Sequence, residues 1–391
     1  MISAGVGIGT GENAYSAARD ATLGALSGVL DHKAKTLLVF GSVSFDQDEL
    51  LRGVADTAPE TKIIGCSTAR EISSEGLSSE KSVVIMALGG DELDVETALG
   101  NHLLWNARQA GFDCAKELQY ASHGYLQAGI VFTDVIAGNG ELAVDGMRER
   151  LGPSIPLTGA AAGDDLLFFE TYQYFGDRAY SGSVASLGLS GKFVVASAVA
   201  DGFLPIGMPR RITKSEGVTV QQIDNARAVS VYEDYFGSDY SSELHEHLLS
   251  DLAVTFPLGI MAPDSDRLIS RNPIYADEKG GMIFTAPIPE GSAAHIMISD
   301  TAQTLSSARD AAERIMKEIG AKKPRAALVF NSIARKKLLG SDADEEIHII
   351  QNIIGREVPL AGFYGYAQID SPISGEKPFY NASLVIWVLA A

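Results

Sequence analysis

Cysteine is scarce in this chain of 391 residues, which carries only Cys66 and Cys114 and no C-x-x-C pair. That usage excludes a disulfide framework and a thiolate-rich zinc site, and it fits a reducing compartment. Basic residues are also in deficit: 31 Lys and Arg stand against 50 Asp and Glu, for a formal charge of −19. Nucleic acid and anionic membranes both demand a basic patch, so neither is an expected partner. Long apolar runs are missing too, none approaching the ~18 residues that span a bilayer. The opening "MISAGVGIGTGENAYS" has no basic lead of the kind a signal peptide carries. The expectation is a cytoplasmic protein without membrane insertion.

What is present is ordinary for a folded protein, with 46% hydrophobic and 21% charged residues. The length exceeds one ordinary core and suggests two domains. Internal repetition is the strongest signal. Three strand-like runs end in Val-Phe, at "TLLVFGS" (Phe40), "AGIVFTD" (Phe132) and "AALVFNS" (Phe330). Each leads through a helical stretch to a second apolar run that ends at Gly65, Gly159 or Gly362, 25, 27 and 32 residues later. Each unit closes on another strand, "SVVIMAL", "SVASLGL" or "SLVIWVL". An alanine-rich amphipathic helix precedes each Val-Phe strand, led by a short strand candidate in "SAGVGIG", "LDVETAL" or "AHIMISD".

The Phe positions lie 92 and then 198 residues apart, so a fourth, diverged unit is expected over roughly residues 190 to 290. That stretch has helix candidates in "AVSVYEDYF" and "SSELHEHLLSDLAV". The fold class is α/β: repeated β-α-β-α-β-β units forming mixed, largely parallel sheets with flanking helices. Two pseudo-related domains are expected, 1–200 with two repeats and 201–391 with one diverged and one clear repeat. A helix-bearing connection suits a parallel crossover, which places each glycine at the carboxyl end of its strand. Ligands of open α/β sheets bind at that end.

Several chemistries fail on spacing. Gly65-Cys66-Ser67-Thr68-Ala69 stops one residue short of the G-x-S-x-G elbow, and the matching turns "GAAAGDD" and "GFYGYAQ" hold no nucleophile. Cys66 needs a base or a helix N-terminus to become a thiolate, and no motif supplies one. His245 and His247 are two apart, not at the i, i+4 spacing of a helical zinc pair. The glycine-rich start misses G-x-G-x-x-G in every register. No metal and no cofactor are expected, and an enzyme is the less favoured reading.

What remains is a set of polar residues near strand ends. Cys66, Ser67, Thr68, Arg70 and Glu71 come from the first unit, and Asp164 and Asp165 from the second. Asn331, Arg335, Tyr364, Tyr366 and Gln368 come from the third, and Arg271 lies between strands before it. Arginines, carboxylates and amides together suit both ends of a zwitterion. The alternative is that the aspartates cap turns and the arginines pair structurally.

In that order, "GCSTAREISSEGL", "PLTGAAAGDD", "VYEDYFG", "PLGI", "ISRNP", "IPEGS" and "VPLAGFYGYAQI" resemble the FIST family over nearly the whole chain. The resemblance implies an intracellular sensory domain for a small ligand, with amino acids the leading suggestion. It also implies a stand-alone sensor that signals through a separate protein such as a kinase, with homodimerisation open. Three positions depart from the pattern. Arg70 stands where glycine is common, Ala367-Gln368 replaces Gly-Glu, and Ser332 begins the segment where Cys-x-x-Arg is usual. The first two, a guanidinium gained and a carboxylate lost, make the pocket less acidic. A hydrolase centred on Cys66 and Glu71, a haem gas sensor and a scaffold with a vestigial pocket are the alternatives. Against haem, the segment Pro378–Asn381 lacks the histidine of haem-binding relatives, although a tyrosine can ligate haem.

Overall fold

The computed structural model describes residues 1–78, 81–123, 125–237, 255–261, 268–371 and 379–391. The helix expected over residues 241–254, with His245 and His247, lies outside them.

Each of the three units builds one sheet with the same strand order: leading strand, closing strand, Val-Phe strand, glycine strand. In the first unit these are Ser3–Thr10, Ser82–Gly89, Thr36–Ser42 and Lys62–Thr68. In the second they are Leu93–Gly100, Val184–Gly191, Ala128–Thr133 and Leu157–Ala161. In the third they are Val194–Ala200, Leu384–Ala390, Pro324–Ser332 and Leu360–Gly365. The Val-Phe and glycine strands pair in parallel, as their helical crossovers require. The flanking pairs are antiparallel, so the sheets are mixed and parallel pairing is confined to that one pair in each.

A hairpin from another unit completes each sheet. The first unit's Arg70–Ser73 and Gly76–Leu77 extend the third sheet. The second unit's Gln173–Phe175 and Arg178–Tyr180 extend the first. The third unit's Ala367–Ser371 and Phe379–Tyr380 extend the second. The exchange is cyclic, so each unit both gives and receives one hairpin.

The three inner faces enclose a shared core, at whose centre the repeated phenylalanines meet. Phe40 and Phe132 have ring centroids 5.8 Å apart, Phe132 and Phe330 6.1 Å, and Phe363 bridges Phe40 and Phe330 at 5.0 and 5.7 Å. Each buried ring contributes about 1.5–3 kcal/mol by leaving water, with more from edge-to-face pairing. The Val-Phe repeat is therefore a packing signature of a threefold-related core.

Helices cover the outer faces. Ala14–Ser27 presents Ala17, Ala21 and Ala25 to the first leading strand, where Gly5, Gly7 and Gly9 alternate. A Cβ at those glycines would sit 2.1, 2.0 and 1.8 Å from the Ala25, Ala21 and Ala17 carbonyl oxygens. The glycine-rich start is thus a close helix–strand seam, which accounts for its failure to match a phosphate loop.

The third leading strand is Val194–Ala200, which pairs with Leu384–Ala390. The expected "AHIMISD" strand, Ala293–Ile298, instead pairs with Leu204–Glu216 and Leu258–Met261 in a separate eight-stranded sheet. The chain leaves the third sheet after Ala200, builds that sheet, and returns through helix Thr301–Ile319. Its described strand pairs are all antiparallel, so among the described residues this stretch lacks the parallel pair that each of the three units contains. The interval of 198 residues between Phe132 and Phe330 holds one unit plus this excursion. Ser230–Phe236 is helical, as its pattern predicts.

Candidate functional site

Directly paired residues on adjacent strands share a sheet face. Each donated hairpin uses this rule to set one polar residue at the end of the shared core. Glu71 pairs with Phe363, Gln173 with Cys66 and Gln368 with Ala160. Phe363, Cys66 and Ala160 each follow the terminal glycine of their strand, and all three lie in the inner core. Glu71, Gln173 and Gln368 therefore occupy equivalent corners of one ring, and all three are fully buried. Ser82, Ser183 and Ser383 are equivalent as well. Each stands two residues before the closing-strand partner of a core phenylalanine, at Val84–Phe40, Ala185–Phe132 and Val385–Phe330.

Two corners are closed. Glu71 accepts hydrogen bonds from the hydroxyls of Ser82 and Thr68, and from Ser78 Oγ at 2.8 Å. Burial pushes its carboxyl above the ordinary range, while those hydroxyls pull the other way. Gln173 Oε1 accepts from Ser183 N at 3.2 Å and Ser183 Oγ at 3.0 Å. The third corner is open. Ser383 Oγ turns to the Asn381 carbonyl at 3.0 Å, and neither Oε1 nor Nε2 of Gln368 has a partner among the described residues. A buried amide without partners forfeits about 1–3 kcal/mol.

The loop of residues 164–172 leads into Gln173. The Asp164 carboxylate accepts from the amides of Phe168 (3.0 Å), Phe169 (2.7 Å) and Glu170 (3.1 Å), and from the Tyr366 hydroxyl. The Tyr366 ring stacks on Phe168 at 4.7 Å. These bonds hold Asp165, Leu166 and Phe168 at φ of 54, 67 and 48°, where side chains are disfavoured. A cleft of about 470 Å³ containing Leu167, Phe169 and Tyr172 lies on one side of this loop, and one of about 530 Å³ containing Phe168 on the other. The cleft of about 780 Å³ lined by Lys35, Lys62, Asp94 and Glu96 is at the opposite, amino-terminal end of the first sheet's parallel strands.

The remaining candidates are distributed as follows. Cys66 lies in the phenylalanine core, and burial drives its thiol well above the ordinary value, so the thiolate a nucleophile requires is disfavoured. Ser67 Oγ donates to the Gly163 carbonyl and accepts from Tyr172 N, both at 2.9 Å, which stitches the first two glycine strands together. Arg335 is fully buried on Glu346 and donates to the carbonyls of Asp201 (2.6 Å) and Thr304 (2.9 Å). Asn331 donates to the same glutamate at 2.6 Å, and Tyr364 is buried on the strand beside it. Arg271 donates to the Phe379 carbonyl at 2.9 Å and pairs with Glu141 at 3.2 Å, which ties the eight-stranded sheet to the second unit. Burial pulls its guanidinium below the ordinary range, against Glu141. Arg70 faces the other side of its strand from Glu71; burial and then its charge hold the Lys336 amine below the ordinary lysine range, and Asp165 is exposed.

The structure thus brings Glu71 and Gln368 together with Gln173, gathers Asn331 and Arg335 on Glu346, and leaves Arg271 apart. Gln173, Lys336 and the three serines were not anticipated. The serines open each closing strand in the sequence, a visible repeat whose partners only the fold supplies. The three turn glycines are needed for close packing: a Cβ would fall 1.8 Å from the Val39 oxygen at Gly65, and 1.9 Å from those of Val131 and Val329 at Gly159 and Gly362. Among the described residues no group of three His, Cys, Asp or Glu is placed to hold a metal, and no helix is long and apolar enough to cross a membrane.

A cyanuric acid hydrolase from A. caulinodans aligns over 100% of this chain and 99% of its own, at 9% identity and a TM-score of 0.40. A chorismatase aligns over the same shares at 8% identity and 0.39. Likeness this loose carries no argument about activity. An uncharacterized protein of Methanocaldococcus jannaschii is 22% identical over 70% of this chain, and the match spans 56% of that relative. The FIST N domain matches residues 35–226 and the FIST C domain residues 228–370. The chain belongs to the FIST family, whose domains are sensory and bind small ligands.

Proposed function

We propose that the chain is a cytoplasmic sensor of a small polar metabolite, an amino acid or a close analogue, held at the end of the threefold core. The observation that carries this reading is the open corner at Gln368. Two of three equivalent positions complete themselves with serine hydroxyls, while the third leaves a buried amide donor and acceptor without partners among the described residues. A ligand with one donor and one acceptor completes that corner, and such groups are common to amino acids. Binding there would remove the cost of the unpaired amide.

Entry requires the loop of residues 164–172 to open, because the ring is buried. That loop is strained and held mainly by one carboxylate, so it is the element whose position a ligand would bias. A separate signalling protein would read the loop position. A kinase partner and a homodimer both fit this scheme.

The test is a thermal-shift panel of amino acids and small organic acids on the full chain. A ligand at 100 times its Kd stabilises by about 2.7 kcal/mol, a shift of several degrees. A panel flat throughout would favour the scaffold reading, in which the open corner is vestigial.

A further inference from the structure

The loop of residues 164–172 turns two large apolar side chains into solvent: Phe169 is 83% exposed and Leu167 61%. The Asp164 carboxylate holds the amides of Phe169 and Glu170 at 2.7 and 3.1 Å, so the backbone that carries them is fixed. Apolar surface displayed this way is unfavourable in water, and neighbouring residues that share it mark an interaction site.

Both side chains border the cleft of about 470 Å³, whose walls also include Phe45, Tyr172, Asp46, Asp48 and Glu170. Among the described residues no Lys, Arg or His lines it. Lys81 touches one lining ring, 5.5 Å from the Phe45 centroid, but is paired with Glu12 at 2.7 Å. Asp46 caps helix Gln47–Thr57 by accepting from Glu49 N at 2.9 Å, and Glu170 accepts from the Tyr172 hydroxyl at 2.7 Å. Asp46, Asp48 and Glu170 have no ion pair among the described residues. The Glu170 hydrogen bond, then burial, then the charges of Glu170 and Asp48 push the Tyr172 hydroxyl up to about 12. The cleft is therefore negative, and aromatic rings stand beside its carboxylates.

We propose that this face docks a partner protein through a segment that sets lysine or arginine beside apolar side chains. The cation enters the cleft, with its methylene stem against Phe169 and Tyr172 and its charge among the carboxylates. The neighbouring apolar side chains cover Leu167 and the rest of the Phe169 ring. Charge complementarity selects this occupant. A twofold pairing of two copies through the same face would set carboxylates against carboxylates, and an anionic membrane would be repelled. A partner seated here grips the loop that opens for a ligand; that consequence rests on the proposed sensing role, whereas the docking surface does not.

The experiment is calorimetric titration of the full chain with a synthetic amphipathic helical peptide of leucine and lysine. Its analogue with glutamate for lysine is titrated in parallel. Saturable one-to-one binding is expected for the lysine peptide alone, weakening as salt rises. Phe169→Ser should weaken it at least about tenfold, the scale of an aromatic anchor, with its unfolding temperature unchanged because the ring is exposed. Phe169→Leu should recover part of that loss. Asp48→Asn and Glu170→Gln should each cost about threefold, the scale of an exposed ion pair. Glu313→Gln, on helix Thr301–Ile319 of the third unit, should change nothing, which separates docking from the general attraction of an acidic chain. The metabolite panel reads the ring and this titration reads the face, so the two proposals fail separately. Absence of saturable binding, equal binding of the glutamate analogue, or Phe169→Ser binding as tightly as the parent would overturn the proposal. So would a loss at Glu313→Gln as large as that at Asp48→Asn.

Discussion

Glu71 and Phe363 pair across an antiparallel seam whose two strands come from different units. The same relationship joins Gln173 to Cys66 and Gln368 to Ala160. Each hairpin thus carries one polar residue of the ring into a neighbour's sheet. Docking of the three units therefore also places the ring.

Glu71 is the one carboxylate in a ring whose other two corners are amides. Its folded pKa is raised, so the folded state holds a proton that the unfolded state releases. Stability from this group is therefore greatest at low pH, and falls as pH rises from the ordinary glutamate value through the raised one. Glu71→Gln should raise the unfolding midpoint at pH 8 and flatten its pH dependence across that window. Urea unfolding of both proteins between pH 4 and 8 checks this; a parent curve that gains stability across the window contradicts it.

Gln368→Leu removes an amide with no partner among the described residues and keeps a similar volume. In ligand-free protein it should raise the unfolding free energy, by about 1 kcal/mol if the amide forfeits its typical cost. Chemical denaturation measures it. A loss of more than ~1 kcal/mol would mean that the amide is already satisfied.

Arg335 and Glu346 are both fully buried, and Asn331 donates to the same carboxylate. Removing one partner strands the other charge, at a cost of about 3–5 kcal/mol. Arg335→Ala should therefore destabilise strongly, whereas Arg335→Met with Glu346→Leu should recover much of the loss. A double-mutant cycle in guanidinium separates the two outcomes, and near-additive single losses would contradict the pairing.

Tyr366 donates its hydroxyl to Asp164 and accepts from Leu166 N at 2.8 Å. Tyr366→Phe keeps the stacking on Phe168 and deletes both bonds, along with the longer one that the hydroxyl accepts from Asp164 N at 3.4 Å. Amide exchange in residues 165–170 should accelerate about tenfold, the effect of losing roughly 1.4 kcal/mol from local opening. Unchanged exchange there would show that the Asp164 amide bonds alone hold the loop.

Much of the fold was legible because its crossovers are local. The Val-Phe and glycine strands lie 25–32 residues apart in each unit, and their pairing needs nothing from elsewhere. The hairpin exchange was not legible, since Gln173 finds its partner Cys66 across 107 positions of chain. The third leading strand was misplaced because the chain runs through the eight-stranded sheet before its helix begins. In the site, residue type was a poor guide to openness. Asn331, Arg335 and Arg271 have the chemistry of ligand-binding groups, yet buried carboxylates already occupy them. Gln368, a departure from the family pattern, is the position left open.

The central claim is that Gln368 receives a small polar ligand at the end of the threefold core. A high-resolution crystal structure grown with the strongest stabiliser from the thermal-shift panel tests it most directly. The account predicts density for that molecule within hydrogen-bond reach of both Gln368 Oε1 and Nε2. Density for the molecule in one of the outer clefts, with Gln368 paired to protein groups alone, would contradict it.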